Sequence, residues 1–217
     1  MKIGILGGTF NPIHYGHLRI AEEVRERFDL ARVILVPAAT PPHKTLSSDL
    51  PFEHRFRMVG EALAGNPLFE ISDIEGRREG PSYLIDTLRE FRELYPEDEL
   101  FFIMGSDSFA DIRTWKEYAG YFSLCNIVVV ERPGVSFDEL AQALPENVAR
   151  EFTPYPAEKR LAHISGYSVY FFTGTLLDIS SSNIRSLVRL ERSIRYMVPE
   201  TVERYIKEKR LYEQKNA

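Results

Sequence analysis

A single α/β domain, built on a doubly wound parallel sheet with helices on both faces, is the fold that this sequence predicts. Three observations point to it. Short apolar runs alternate with stretches of helical apolar spacing, the runs are apolar enough for strands buried on both faces, and several of them stop at glycine or proline. Residues 3–6 form the first run and break at Gly7-Gly8, after which a helix opening near Ile13 extends to about Phe28. The run at 33–36 is a second buried strand that ends at Pro37, and 52–64 reads as a helix. Residues 69–73 alternate as a strand does, and 82–95 carry helical spacing at Leu84, Ile85, Leu88 and Phe91. The runs at 100–104 and 126–131 are further strands, as is 167–173. A helix is expected to open near residue 180, and 199–212 closes the chain as an amphipathic helix with Val202, Tyr205 and Ile206 on one face. Residues 134–165 are the least regular, with a polar helix candidate at 137–144 among prolines, and no chemistry is assigned to them or to His163.

Composition bounds the function. At 217 residues the chain can bury one substantial core, and nothing in it is linker-like, so one domain spanning 1–217 is expected. With 27 basic and 32 acidic residues the formal charge of −5 gives no overall attraction to nucleic acid or to an anionic membrane, although a local basic pocket remains open. The single cysteine, Cys125, cannot form an internal disulfide, and its apolar neighbours suit a buried structural thiol. No signal peptide is recognised, and no apolar run approaches the roughly 20 residues of a membrane span, so the cytoplasm is the default compartment.

The chemistry concentrates at the first strand-to-helix turn. Gly7-Gly8-Thr9-Phe10 would let backbone amides approach an anion, and the positive end of the following helix would point at it. His14 and His17 are three apart, which on a first helical turn gives them one face, and Gly16 between them keeps that face open. A glycine pair can be merely a tight turn, but two imidazoles directly behind it favour phosphate. The dehydrogenase pattern Gly-x-Gly-x-x-Gly is missing, as is the P-loop pattern. In open α/β sheets ligands bind beyond the strand C-termini, and 41–44 (Pro-Pro-His-Lys) and Gly105-Ser106-Asp107 both fall there. Ser181 and Ser182 with Arg185, following Ile179, form either a second phosphate clamp or an ordinary capped helix start. Asp107 is equally readable as an acceptor for ribose hydroxyls or as a helix cap, and Trp115 as a stacking surface or as core.

Taken together, the segments 7–18, 41–44, Ser82-Tyr83 with Asp86-Thr87-Leu88, Gly105-Ser106-Asp107 with Trp115, 179–185 and the ending 196–212 resemble bacterial nicotinate-nucleotide adenylyltransferases from first strand to last helix. The resemblance implies a Rossmann-like nucleotidyltransferase fold. It implies transfer of the adenylyl group of ATP to nicotinate mononucleotide, with magnesium carried on the ATP phosphates and no dedicated protein metal site. It places His14, His17, Lys44 and Arg185 in catalysis. Gly7, Gly8, Thr9, Phe10, Gly16, Gly105, Asp107, Ile179, Ser181 and Ser182 would join the histidines and Arg185 around ATP, while Thr9, Phe10, Lys44, Ser82, Tyr83, Leu84 and Trp115 would meet nicotinate mononucleotide. Two positions depart from the family pattern: Asn11 where aspartate is usual, and Leu84 where threonine is common. Phosphopantetheine adenylyltransferase, which shares the first and last motifs, is the alternative, and a nucleotide-binding protein without activity is another. Nothing in the sequence addresses oligomeric state.

Overall fold

The computed structural model describes residues 1–41, 50–131, 144–175 and 177–213. Strand β1 (Lys2–Gly8) leads through a turn into α1 (Tyr15–Phe28), then β2 (Arg32–Pro37), α2 (Phe52–Leu63) and the short β3 (Phe69–Ile71). The chain continues with α3 (Leu84–Leu94), β4 (Glu99–Gly105), α4 (Ser106–Ala110), two 3-10 turns, and β5 (Asn126–Val130). After α5 (Glu146–Ala149) come β6 (Phe152–Tyr155), β7 (Arg160–His163) and β8 (Ser168–Phe172), and the chain closes with α6 (Ser181–Arg189) and α7 (Glu200–Glu208).

The eight strands form one sheet in the order β3-β2-β1-β4-β5-β8-β7-β6. The chain winds outward from β1 through β2 to β3, then returns to place β4 on the other side of β1. That reversal creates the switch point between β1 and β4, where the connecting loops part in opposite directions and leave a crevice. Both sheet faces are covered, and the strand alternation sorts the side chains between them. Ile3, Ile5, Ile34, Val36, Phe102 and Met104 join Ile85, Leu88 and Phe91 of α3 in one core. Leu6, Val33, Leu35, Phe101 and Ile103 join Ala21, Val24, Met58, Val59, Ile184, Val202 and Ile206 of α1, α2, α6 and α7 in the other. Each core is anchored by the same strands, which is why these strands read as unbroken apolar runs.

The expected parallel sheet is found in β1 to β5 and β8, but β7 runs antiparallel to both β8 and β6. Strand β6 is largely exposed and contains Pro154, which is tolerated at a sheet edge because no neighbour needs its missing N–H. An exposed edge strand carries no apolar signature, so 152–163 gave no strand signal in the sequence. Other boundaries shift modestly. The first helix starts at Tyr15 rather than near Ile13, with His14 at its N-cap. The closing helix ends at Glu208, beyond which Arg210 and Tyr212 adopt left-handed backbone (φ 51° and 66°) that no helix continues through. Of the helix candidate at 137–144, residues 137–143 lie outside the described residues, and Leu144 is a buried bend. Cys125 is buried as expected, and that burial pushes its thiol up to about 12.

Candidate active site

The end of β1 is shaped by its glycines and Phe10. The Phe10 ring folds back under the turn, where a Cβ on Gly8 would lie 3.0 Å from it, so a side chain at Gly8 would force the ring aside. Phe10 is buried and presents its ring edge-on to His17, with centroids 5.1 Å apart. His14, with extended backbone, precedes the first turn of α1 and donates its amide N–H to Nδ1 of His17 at 3.3 Å. The two imidazoles stack at 3.7 Å between centroids and 28° between planes. Gly16 makes this possible: a Cβ there would come within 3.0 Å of the His14 ring. The sequence spacing placed both rings on one face, and the structure brings them into van der Waals contact.

Burial sets their charge. It lowers His14 to about 4, and lowers His17 to about 3 with help from the charge that His14 would carry. Both rings are therefore neutral at pH 7, and each offers one N–H and one lone pair. Because Nδ1 of His17 accepts from an amide, the ring proton sits on Nε2, which makes Nε2 a donor. His14 Nδ1 is buried without a hydrogen-bond partner among the described residues. A buried polar atom in that state is costly, and a bound ligand can supply the missing bond.

The start of α6 converges on the same turn. Ser180 is the N-cap, its Oγ accepting from the Asn183 amide at 3.2 Å, so the capping reading holds for Ser180 and leaves its two neighbours to other work. Ser181 Oγ donates to the carbonyl of Pro12 at 2.8 Å. Arg185 donates through Nη1 to the carbonyl of Asn11 at 2.7 Å and through Nη2 to Ser182 Oγ at 3.2 Å. The Ile179 carbonyl lies 3.7 Å from the space that Gly16 leaves open. The N-terminal ends of α1 and α6 thus meet, and their dipoles add at one place. Asn11 keeps the turn chemistry of its position: its Oδ1 accepts from Tyr212 Oη at 2.7 Å.

On the other side of the crevice the predicted residues are less uniformly placed. Lys44 lies outside the described residues. Ser82 exchanges two bonds with Thr40, donating its amide to the Thr40 carbonyl at 2.8 Å and accepting the Thr40 amide on Oγ at 3.0 Å. Its hydroxyl is therefore already engaged in joining two loops. Tyr83 precedes α3 as its N-cap residue and Leu84 is the first helical residue. Lys116 lies over the Tyr83 ring at 4.5 Å and reaches Asp86 at 3.3 Å, which docks the Trp115 segment onto the start of α3. Trp115 is half-buried, with an edge-on contact to Tyr121 at 6.2 Å, so it is part core and part surface. Asp107 is exposed in the first turn of α4, whose N-cap is Gly105, which corrects the reading of Asp107 as a cap. Among the described residues no group of three or more His, Cys, Asp or Glu side chains could hold a metal ion.

A model of the cytidylyltransferase-like family matches residues 5–187, the span that contains the crevice and both convergent helix starts. The sequence is 67% identical to the probable nicotinate-nucleotide adenylyltransferase of Geotalea uraniireducens, over 98% of each chain. It is 59% identical to the protein of the same description from Geobacter sulfurreducens, again over 98% of each. The chain belongs to the nicotinate-nucleotide adenylyltransferases. Its fold is also that of the Plasmodium falciparum nicotinic acid mononucleotide adenylyltransferase complexed with NaAD, with a TM-score of 0.74 at 20% identity over 97% of each chain. The complex of that enzyme with APC gives a TM-score of 0.72 at 20% identity, covering 97% of this chain and 96% of that one.

In this adenylyltransferase three residues that sequence reasoning passed over support the site. Arg55 of α2 is 2% exposed and donates to four backbone carbonyls around the crevice. Glu75 is buried beneath the start of α3 and accepts from Thr87 Oγ1 at 2.7 Å, and burial raises its carboxyl above the usual range. Tyr212 is the hydroxyl on Asn11. A signal existed for Arg55. It shares the helical face of Met58, Val59 and Leu63, and a charge on the apolar stripe of a helix needs partners of its own.

Proposed function

We propose that this chain transfers the adenylyl group of ATP to the 5′-phosphate of nicotinate mononucleotide, releasing nicotinate adenine dinucleotide and pyrophosphate, a step of NAD synthesis. The observation that carries this is the stacked, neutral His14–His17 pair at the meeting of two helix starts, in a chain 67% identical to a relative described by that activity. A phosphate oxygen of the mononucleotide attacks the α-phosphorus. One P–O bond forms, the bond to the bridging oxygen of the β-phosphate breaks, and pyrophosphate leaves with that electron pair. The attacking phosphate is already anionic at neutral pH, so no strong base and no covalent enzyme intermediate are required. What the protein supplies is alignment of two anions and donors placed where charge accumulates.

His17 offers Nε2–H to the α-phosphate oxygens, and a neutral His14, whose Nδ1 has no partner among the described residues, has an N–H of its own to donate to a phosphate oxygen. Neutral imidazoles suit this role, because two stacked cations at 3.7 Å would repel before any anion arrived. Arg185, aimed by the Asn11 carbonyl, presents its remaining donors to the β- or γ-phosphate, with Ser182 beside it. The turn at Gly7, Gly8, Thr9 and Phe10 lines the nucleotide, and Asp107, exposed beyond β4, accepts from ribose hydroxyls. Lys44 adds a point charge on the acceptor side. Tyr83, Leu84 and Trp115 bound the pyridine, whose carboxylate is favoured at the start of α3. Nucleotidyltransferases of this family generally use a divalent metal with ATP. We assign magnesium, held by the ATP phosphates, where it neutralises charge on the leaving group.

Residues 1–217 act as one catalytic unit in this reading, in the cytoplasm, where a lone reduced cysteine is ordinary. The test follows pyrophosphate release from ATP and magnesium with nicotinate mononucleotide, nicotinamide mononucleotide and phosphopantetheine offered separately. Release with nicotinate mononucleotide alone is expected. Equal use of both mononucleotides would mean that Leu84 leaves the pyridine pocket unselective. Turnover of phosphopantetheine alone would replace the assignment, and release with none would end it.

A further inference from the structure

Strands β1 and β2 run side by side until the Ala38 amide donates to the Gly8 carbonyl at 2.9 Å, and there they part. One chain turns into the phosphate loop at Thr9, the other into the loop at Ala39 and Thr40. Carbonyls at such a fork lose the ladder partners they would have had, and buried carbonyls must find others. The Arg55 guanidinium occupies the fork. Nη1 donates to the Thr9 carbonyl at 2.9 Å and to the Ala38 carbonyl at 2.7 Å, Nη2 to Ala39 at 3.1 Å, and Nε to Leu50 at 3.0 Å. The loop it grips is passed on at once, because Thr40 and Ser82 exchange two hydrogen bonds immediately before α3. An unbroken series of bonds therefore runs from the phosphate turn through Arg55 to the start of the helix that faces the acceptor.

We propose that Arg55 is a positioning residue for adenylyl transfer, fixing the spacing between the ATP turn and the acceptor-side loop through the four carbonyls it holds. The proposal rests on the reaction assigned above. The fork needs a planar group with several donors in fixed directions, which guanidinium has and ammonium lacks. Each substrate is held mainly by its own side of the crevice, so loosening the fork leaves binding largely intact and spoils alignment. A misplacement of about 1 Å between reacting groups costs on the order of a hundredfold in rate.

The test compares wild type with Arg55→Lys. Turnover is measured with ATP, magnesium and nicotinate mononucleotide, the dissociation constant with a non-hydrolysable ATP analogue, and Tm by calorimetry. Arg55→Lys retains the charge and some of the bonds. We expect it to fold with a lowered Tm, to bind the ATP analogue and show a KM for nicotinate mononucleotide within about threefold of wild type, and to lose about ten- to a hundredfold in kcat. A kcat within twofold of wild type, whatever the Tm, would show a purely structural arginine and overturn the proposal. So would a raised KM for one substrate with kcat retained, because that is the behaviour of a ligand of that substrate. A wild type that releases no pyrophosphate overturns the functional reading and this role with it, whereas an active wild type beside an unimpaired variant overturns this role alone. Should Arg55→Lys fail to fold, Ser82→Ala weakens the same series of bonds at its other end outside the core, removing the Oγ bond to the Thr40 amide and leaving the amide bond to the Thr40 carbonyl. A lowered kcat with unchanged binding of the ATP analogue and an unchanged KM for nicotinate mononucleotide supports the proposal there, and a retained kcat, or a raised KM for the mononucleotide, overturns it.

Discussion

Two buried histidine sites stand at the centre and near one edge of this sheet, and they differ in one respect that decides what each can do. At the edge, His163 is 7% exposed and both ring nitrogens are engaged, Nδ1 with Ser165 Oγ at 2.8 Å and Nε2 with Glu151 at 2.9 Å. Phe122 and Phe152 pack on its ring, and Ser165 donates onward to the Phe122 carbonyl at 2.7 Å, which ties the β6–β7 hairpin to the body of the protein. The serine, histidine and glutamate mimic a catalytic triad in composition. The serine proton, however, is committed to a carbonyl. At the centre, His14 is equally buried, yet its Nδ1 has no partner among the described residues, and its neighbour His17 has a proton directed away from the backbone. Burial and histidine are common to both sites. Unfilled hydrogen-bonding capacity at a meeting of helix dipoles belongs to one, and that capacity is what a ligand can use.

The sharpest way to break this contrast is substitution at each site. His17→Ala should lower kcat by about a hundredfold or more while the fold survives, since one well-placed donor in a transition state is worth roughly that much. His163→Ala should leave kcat near wild type and lower Tm, because it empties a packed site and removes the bonds that the ring makes to Ser165 and Glu151. Steady-state pyrophosphate release and calorimetry on both variants decide it, and equal losses of activity would erase the distinction.

A titration sharpens the comparison next. A histidine held at about 4 or about 3 when folded but near its ordinary value when unfolded binds fewer protons in the native state. Stability therefore falls as pH drops below about 6.5, by roughly 2 kcal/mol per histidine between pH 7 and pH 5. Urea unfolding at those two pH values should show the loss in wild type, and His17→Gln should lack one proton's share of it. A wild type with no such slope would mean that the central pair is charged in the native protein.

Gly16→Ala tests how the central pair is held. The new Cβ would press on the His14 ring at 3.0 Å, so kcat/KM for ATP should fall about tenfold with little change in Tm, the strain at the ring being offset by a better helix former. Retained activity would show that the stack tolerates a shift. The smallest effect is expected at Tyr212→Phe, which removes one hydrogen bond to Asn11 at the back of the phosphate turn. Such a bond contributes about 1 kcal/mol, so the loss should appear as a small drop in Tm with at most a severalfold change in kcat, measured as above.

Much of this was legible in the residues because it is local. Runs such as 3–6, 33–36 and 100–104 are apolar on both alternating faces, which is itself the mark of a strand covered twice. The three-residue spacing of His14 and His17 fixes a shared face whatever the rest of the chain does. Ser180 declared a helix start through its own side chain. Elements that depend on neighbours were harder to read. The β6–β7 hairpin is polar and carries a proline, so only its pairing with β8 makes it a strand. Asp107 and Ser82 have residue types compatible with several roles, and their positions, an exposed first turn and a strap between two loops, depend on where distant chain segments arrive.

The sequence by itself determined the sheet-and-helix alternation, the phosphate turn and the pair of histidines behind it, because backbone propensity, apolar periodicity and helical geometry act over a few residues. Tertiary structure alone decided the order of strands that opens the crevice, the meeting of α6 with α1, the neutral state of both imidazoles and the grip of Arg55 on four carbonyls. Those depend on desolvation and on contacts between residues as far apart as 174 positions, as in the bond between Arg185 and Asn11, and no local pattern encodes which buried group will lose its water.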